Sequence, residues 1–324
     1  MDFEFNGDEL EFRTPAGLRI AGRHWGFSDG FPLLALHGWL DNCATWEELI
    51  PLWLGKHGVR FNMVAIDFAG HGRSEHRHPQ APYSKILDIE DSISVADALG
   101  WERFALIGHS MGGVNSMYIA CMYPSRVEHA VIIEAIAPLF TEDEPGIARM
   151  VASRREHKAY FSRKNPEASK RVFKSLEDAA VSRANGTHQL SLRASRLLVA
   201  RGTRPVAPGS TDLVWSSDQR LILPDPFPTA KSFVLELLSH AQAPILTIMA
   251  DHDFPPTYGS PKIRKILGPK HEAKLMQGMP SHHLHMEAET IDAVAAVIAE
   301  FWKKQPSTSA RNGGPSEEDI RAKL

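Results

Sequence analysis

Phe104-Ala-Leu-Ile-Gly-His-Ser-Met-Gly-Gly113 is the stretch of sequence from which the fold can be inferred. Its first four residues form a short apolar run, typical of a strand buried on both faces of a parallel sheet. Apolar residues at helical spacing follow from Val114 to Met122. Between the two, Gly108-His-Ser-Met-Gly112 matches G-x-S-x-G, a pattern in which a serine occupies a sharp turn from strand to helix.

This turn predicts a nucleophile at Ser110. A serine held in a strained backbone conformation needs small neighbours, and Gly108 and Gly112 leave room for the strand and the helix to pack closely. The hydroxyl then lies at the N-terminus of a helix, where free N–H groups and the helix dipole favour developing negative charge.

Working outward, strand and helix patterns alternate along the chain. Leu10 to Trp25 contains two β-like runs around a Pro-Ala-Gly turn, and buried strand-like runs recur at Pro32–Leu36, Asn62–Asp67 and Pro244–Ala250. Helical spacing separates these runs. The alternation predicts an α/β fold with a mostly parallel central sheet flanked by helices.

The pattern divides the chain into three parts. Residues 1–137 and 241–304 form the predicted core, and residues 138–240, which read as helices with no buried strand among them, form an inserted helical cap. Residues 305–324 are rich in Pro, Ser, Gly and charge, and are predicted to be a disordered tail.

Composition narrows the class of partner. The 324 residues carry a formal net charge of −3, which argues against nucleic acid or an anionic membrane as the main partner. No apolar run reaches transmembrane length, so we expect no membrane span. The two cysteines, Cys43 and Cys121, form no metal or redox motif and are predicted to be reduced core thiols. A small molecule is the expected partner.

A serine nucleophile needs a base, and the base needs an orienting acid. In this type of fold the chain order is serine, acid, histidine. Asp253 follows a C-terminal strand and is the predicted acid. Asp251, at the end of that strand, and Glu134, at the end of the strand after Ser110, are the alternatives.

The base comes from a histidine-rich loop, Ser281-His-His-Leu-His285. His282 lies deepest in the loop after the last strand and is the predicted base, with His283 as the alternative. Metal chemistry is not predicted, because the 16 histidines form no H-E-x-x-H motif and the cysteines no C-x-x-C motif.

Acyl transfer also needs two N–H donors for the oxyanion. Met111, directly after the nucleophile, is predicted to supply one, and the Trp39 backbone the other. The predicted substrate pocket consists of His37, Gly38, Trp39 and His109. His37 is also expected to anchor its loop, and Gly38 to permit close approach.

Several of these motifs together resemble the α/β-hydrolase superfamily: Leu36–Asn42, Asp67–Ser74, Gly108–Gly113, Ala250–Asp253 and Ser281–Glu287. Within the superfamily the chain is similar to the serine hydrolase-like, Kraken-type branch, in which the cap segment Leu213–Leu221 has a counterpart. The resemblance implies a hydrolase of esters or related acyl bonds that needs no cofactor. Serine at position 110 argues against epoxide hydrolases and dehalogenases, whose nucleophile there is aspartate.

The predicted activity is cleavage of a carboxylic ester, thioester or lactone through an acyl-enzyme intermediate. Two alternatives remain open. One is a small-molecule receptor or scaffold on the same fold with slow or no turnover, because fold alone does not fix function. The other is a cofactor-free haloperoxidase or C–C hydrolase, which uses similar residues.

The C-terminal Ala322-Lys323-Leu324 resembles the small–basic–leucine peroxisomal address of which Ser-Lys-Leu is the prototype. Such an address is read by an import receptor and must be exposed and flexible. The preceding Pro- and Gly-containing segment fits that need. The sequence therefore predicts a peroxisomal location, with the cytoplasm as the alternative.

Overall fold

The computed structural model describes residues 7–138, 140, 146–164, 170–225, 229–251 and 261–305. Eight strands form the central sheet, in the order β1-β2-β4-β3-β5-β6-β9-β10. They span Asp8–Arg13 (β1), Arg19–Gly26 (β2), Phe31–Leu36 (β3), Phe61–Ile66 (β4), Phe104–His109 (β5), Val127–Ile133 (β6), Ile245–Ala250 (β9) and His271–Met276 (β10).

Only β2 runs against the other seven strands of this sheet. β1 pairs with β2 and β2 pairs with β4 in antiparallel fashion, and every later pairing in the sheet is parallel. The carboxyl ends of β3, β5, β6, β9 and β10 therefore meet at one edge of the sheet, where open α/β sheets place their ligands. The predicted fold class is confirmed, including the antiparallel start.

Helices cover both faces of the sheet. α1 (Leu49–His57) and α9 (Ile291–Lys304) pack together on one face, over a cluster that contains Trp53, Phe61 and Ile298. α2 (Lys85–Ala98), α3 (Met111–Met122) and α8 (Pro261–Leu267) lie over a second cluster, which contains Leu36, Leu106 and Met117. Strands buried from both sides explain the continuous apolar runs in the sequence.

The described residues of the predicted cap include three α-helices, a 3-10 helix at Gln219–Ile222 and one short pair of strands. The helices are α4 (Gly146–Phe161), α5 (Leu176–Ala184) and α6 (Leu192–Gly202). β7 (Thr203–Pro205) pairs in antiparallel fashion with β8 (Leu213–Trp215), a feature absent from the sequence prediction. α6 packs against α5 and against the 3-10 helix Cys43–Trp46, which joins the cap to the core.

The predicted cap boundary at residue 240 needs correction. α7 (Lys231–Ser239) lies within the predicted insertion, yet it packs on α3 and α8. Its Val234, Leu237 and Leu238 belong to the same apolar cluster as the core helices. By packing, α7 is a helix of the core.

Some predictions concern residues outside the described part of the chain. These are Asp253 and the tail from residue 306, including Ala322-Lys323-Leu324. Cys43 and Cys121 are both buried, and neither forms a disulfide. Among the residues that the structure describes, no helix is long and apolar enough to cross a membrane.

Candidate active site

Ser110 occupies the turn between β5 and α3 in a conformation that side chains rarely adopt. Its φ is 51° and its ψ is −112°, and its N–H donates to the Ile133 carbonyl at 2.8 Å. A Cβ on Gly112 would overlap the Leu36 and His37 carbonyls, and one on Gly108 would overlap the Gly112 carbonyl. Glycine is therefore required on both sides of the strained serine, as the sequence predicts.

The loop after β3 lies beside this turn and is held by His37. The His37 Nε2 accepts from the Phe68 N–H at 3.0 Å, so its proton is on Nδ1, which donates to the Gly38 carbonyl at 2.7 Å. Burial lowers the pKa of His37 and keeps the ring neutral. The loop-anchoring role predicted for His37 has this physical basis.

Trp39 extends from that loop towards the cap. Its side chain is 44% exposed, and its indole Nε1 donates to the Leu221 carbonyl of the cap at 3.1 Å. Within the described residues, the backbone N–H groups of Trp39 and Met111 have no hydrogen-bond acceptor. Two such free donors are what an oxyanion site requires.

His282 contacts a buried carboxylate. Its Nδ1 lies 3.1 Å from Glu134 Oε2, and Glu134 is fully buried at the end of β6 with a φ of 60°. The other Glu134 oxygen, Oε1, accepts from the Ala250 N–H at the end of β9. Glu134 is thus oriented by a neighbouring strand and fixes one nitrogen of the imidazole.

The three candidate acids lie in different places. Glu134, the alternative in the sequence prediction, is the described carboxylate in contact with His282. Asp251 is exposed and accepts from the Gly278 N–H at 2.8 Å, so it holds a loop. Asp253 lies outside the described residues, and its assignment stays a prediction.

His283, the alternative base, has a different partner. It is buried, and its Nε2 lies 3.0 Å from Asp41 Oδ2. The backbone of His282, in contrast, is tied to the nucleophile turn, because His109 Nε2 lies 2.9 Å from the His282 carbonyl. The geometry favours His282 as the base.

Asp41, His109, His283 and Arg183 form a polar cluster beneath these loops, which we call the buried cluster. Arg183, on α5 of the cap, donates from Nη2 to Asp41 Oδ1 at 2.7 Å. Burial alone would raise the pKa of Asp41, but His283 and the Arg183 guanidinium hold it well below its usual range. Burial and the neighbouring histidines lower the pKa of His109 well below its usual value.

Sequence reasoning missed this cluster. Its members come from four separate segments, and 142 residues separate Asp41 from Arg183. Asp41 lies within the Leu36–Asn42 motif but was given no role there, and Arg183 belongs to no motif. The adjacency of His109 to Ser110 and of His283 to His282 was the available signal.

The cap also reaches the predicted base directly. The ring of His188, in the connection between α5 and α6, stacks on the His282 ring at 4.3 Å between centroids. Arg183 Nη1 donates to the His188 carbonyl at 3.1 Å. Arg183 therefore links the other members of the buried cluster to the segment that covers His282.

The predicted pocket needs one correction. The side chains of His37 and His109 are 0% and 1% exposed, so they lie beneath the site and do not line a pocket. A separate cleft of about 710 Å³ lies between the β1–β2 turn and the cap and is bordered by Arg77, Tyr160 and Arg220. Ser110 does not border this cleft.

The family model for the alpha/beta hydrolase fold matches residues 32–288 of the chain. The chain belongs to the α/β-hydrolase family. This α/β-hydrolase is 32% identical over 301 residues to the serine hydrolase-like protein of Danio rerio, covering 91% of this chain and 89% of the relative. It is 34% identical over 252 residues to serine hydrolase-like protein 2 of Homo sapiens, covering 76% of each chain. The serine hydrolase-like branch inferred from the sequence is confirmed.

Solved structures resemble this α/β-hydrolase over most of its length. A hypothetical protein from Pseudomonas aeruginosa PAO1 has a TM-score of 0.79 and 32% identity, covering 92% of this chain and 100% of that one. The thioesterase domain from the curacin biosynthetic pathway has a TM-score of 0.73 and 23% identity, covering 91% and 98%. The second likeness concerns the fold alone.

Proposed function

We propose that this α/β-hydrolase cleaves a carboxylic ester or a related acyl bond, with Ser110 as nucleophile and His282 as general base. The observation that carries the proposal is the pairing of His282 Nδ1 with the buried Glu134 carboxylate at 3.1 Å. The backbone of His282 is linked to the nucleophile turn, because its carbonyl lies 2.9 Å from Nε2 of His109, the residue before Ser110 with its φ of 51°. A carboxylate on Nδ1 selects the tautomer whose Nε2 accepts the serine proton, and it stabilises the imidazolium that forms.

The reaction would proceed in two acyl-transfer steps. Ser110 Oγ attacks the acyl carbon while His282 takes the hydroxyl proton, and His282 then gives that proton to the leaving group. The Trp39 and Met111 N–H groups would bind the oxyanion. Water, deprotonated by His282, then releases the acid and frees Ser110.

The test is covalent labelling followed by turnover. A fluorophosphonate probe should label the wild type and fail to label Ser110→Ala, whereas Ser116→Ala, further along α3, serves as the matched control and should still react. His282→Ala should slow labelling by several orders of magnitude. Labelling of Ser110→Ala at the wild-type rate would overturn the assignment.

A panel of short p-nitrophenyl esters, thioesters and lactones would then define the bond that is cleaved. Many turnovers per molecule with one class would establish a hydrolase. A single slow turnover with retained product in every class would instead support a receptor on the same fold.

A further inference from the structure

The proposed mechanism leaves the polar atoms of the buried cluster without a chemical role. One ligand atom each from Asp41, His109 and His283 lies within 4.8 Å of the others, and all three residues are buried. We propose that these three residues form an inhibitory binding site for a divalent transition-metal ion, with Zn²⁺ as the best match. The site is separate from the nucleophile and the base.

The hydrogen bonds of His109 leave its Nδ1 available to bind a metal. Its Nε2 lies 2.9 Å from the His282 carbonyl, which can only accept, so Nε2 carries the proton. Nδ1 therefore presents a lone pair. Among the described residues this atom has no hydrogen-bond partner, although the side chain is only 1% exposed. It lies 3.8 Å from Asp41 Oδ2, so two acceptors face each other in a buried space, and a cation between them would satisfy both.

Asp41 has one oxygen available for that cation. Oδ1 accepts from Arg183 at 2.7 Å, while Oδ2 faces His283 Nε2 at 3.0 Å and His109 Nδ1 at 3.8 Å. Metal-bound carboxylates are commonly hydrogen-bonded through their second oxygen in this way. For His283 Nε2 to coordinate the ion, a neutral ring would move its proton from Nε2 to Nδ1, whereas an imidazolium would release the Nε2 proton to solvent.

Distances and ligand types favour zinc. Ligands about 2.0 to 2.2 Å from a tetrahedral Zn²⁺ lie about 3.4 Å from one another. The separations of 3.0 and 3.8 Å from Asp41 Oδ2 bracket that value. Two imidazoles and one carboxylate suit Zn²⁺ better than Mg²⁺ or Ca²⁺, which prefer oxygen ligands.

Arg183 should make the site weak. Its Nη2 lies 3.3 Å from His283 Nε2, so the guanidinium places a like charge beside the metal. A bound metal should inhibit the proposed reaction because two of its ligands are neighbours of the proposed catalytic residues in the chain: His109 precedes Ser110 and His283 follows His282. Any movement of these ligands towards a metal displaces the proposed catalytic residues, and a displacement of about 1 Å can cost about 100-fold in rate.

Metal binding can be measured independently of activity with Co²⁺ as the probe. The wild type should develop the visible absorption bands of a tetrahedral Co²⁺ complex, and Zn²⁺ should remove them. His283→Gln keeps a hydrogen-bond donor to Asp41, and His109→Gln keeps a donor to the His282 carbonyl, but each lacks the metal-binding nitrogen. Both should bind Co²⁺ at least tenfold more weakly. The exposed His78→Asn is the matched control and should bind as the wild type does.

In parallel, Zn²⁺ should slow fluorophosphonate labelling of the wild type. This inhibition should develop gradually, and EDTA should reverse it. Inhibition of His283→Gln at the wild-type Zn²⁺ concentration would place the metal elsewhere and overturn the proposal. So would the absence of tetrahedral Co²⁺ bands in the wild type, whatever its hydrolytic activity. Bands that disappear in His78→Asn would identify a surface site instead.

Discussion

Glu134→Gln tests which carboxylate orients the imidazole. The Ala250 N–H donates to Glu134 Oε1, so the oxygen of the new amide must stay on that side. Its NH₂ group then faces His282 Nδ1, which can only respond by accepting. The imidazole proton moves to Nε2, and Nε2 can no longer accept the proton of Ser110.

The expected loss follows from this change of tautomer. In a serine protease triad the same carboxylate-to-amide change lowers kcat by about 10⁴-fold. That factor corresponds to about 5.4 kcal/mol of transition-state stabilisation. Because side-chain volume and both hydrogen-bond positions are kept, we expect the unfolding midpoint to change far less than the rate.

The assay is the rate of fluorophosphonate labelling, with turnover of the best ester from the substrate panel beside it. Glu128→Gln is the matched control, since Glu128 lies on the same strand and pairs with Arg103. It should label at the wild-type rate. Wild-type labelling by Glu134→Gln, together with a large loss in Asp253→Asn, would refute the reasoning and return the acid to Asp253.

Three further perturbations test the framework around the site. Gly112→Ala should abolish labelling and lower stability, checked by thermal unfolding, because its methyl group would overlap the carbonyls at the end of β3. Arg183→Met leaves Asp41 buried with one partner fewer and should lower the free energy of unfolding, measured by urea titration, by about 3 kcal/mol. The control is Arg196→Met, which breaks an exposed ion pair within the cap and should not change the urea midpoint. Burial lowers the pKa of His129 to about 4, so the wild type should lose stability as pH falls from 6.5 to 4, because the unfolded chain binds the proton first. His129→Phe should flatten that part of the stability profile, and an unchanged slope would contradict the assignment.

The sheet and the nucleophile turn were predictable because their signals are local. A short apolar run bounded by glycine predicts a buried strand, and the strained serine explains the glycines beside it. The cap boundary was not predictable in this way. α7 follows the cap in the chain, and only its contacts with α3 and α8 show that it belongs to the core.

The site shows the same division between local and long-range information. His282 and His283 are adjacent in sequence, and what separates them is their partners, Glu134 and Asp41. In the sequence, Glu134 is indistinguishable from an ordinary carboxylate at the end of a strand. Its special position is visible only in the structure, where the Ala250 N–H of the neighbouring strand donates to it. Contacts between side chains that are more than a hundred residues apart in the chain produce no periodic pattern in the sequence.

The reach of Trp39 to the cap matters to anyone who wishes to engineer specificity. Its backbone lies in the loop beside Ser110, and its indole is anchored to the carbonyl of Leu221. A transplanted cap that lacks a carbonyl at that point would leave the indole unanchored, and with it the loop proposed to bind the oxyanion. Grafts that keep residues 219–222 of this chain should therefore alter selectivity with less loss of rate than grafts that replace the whole insertion.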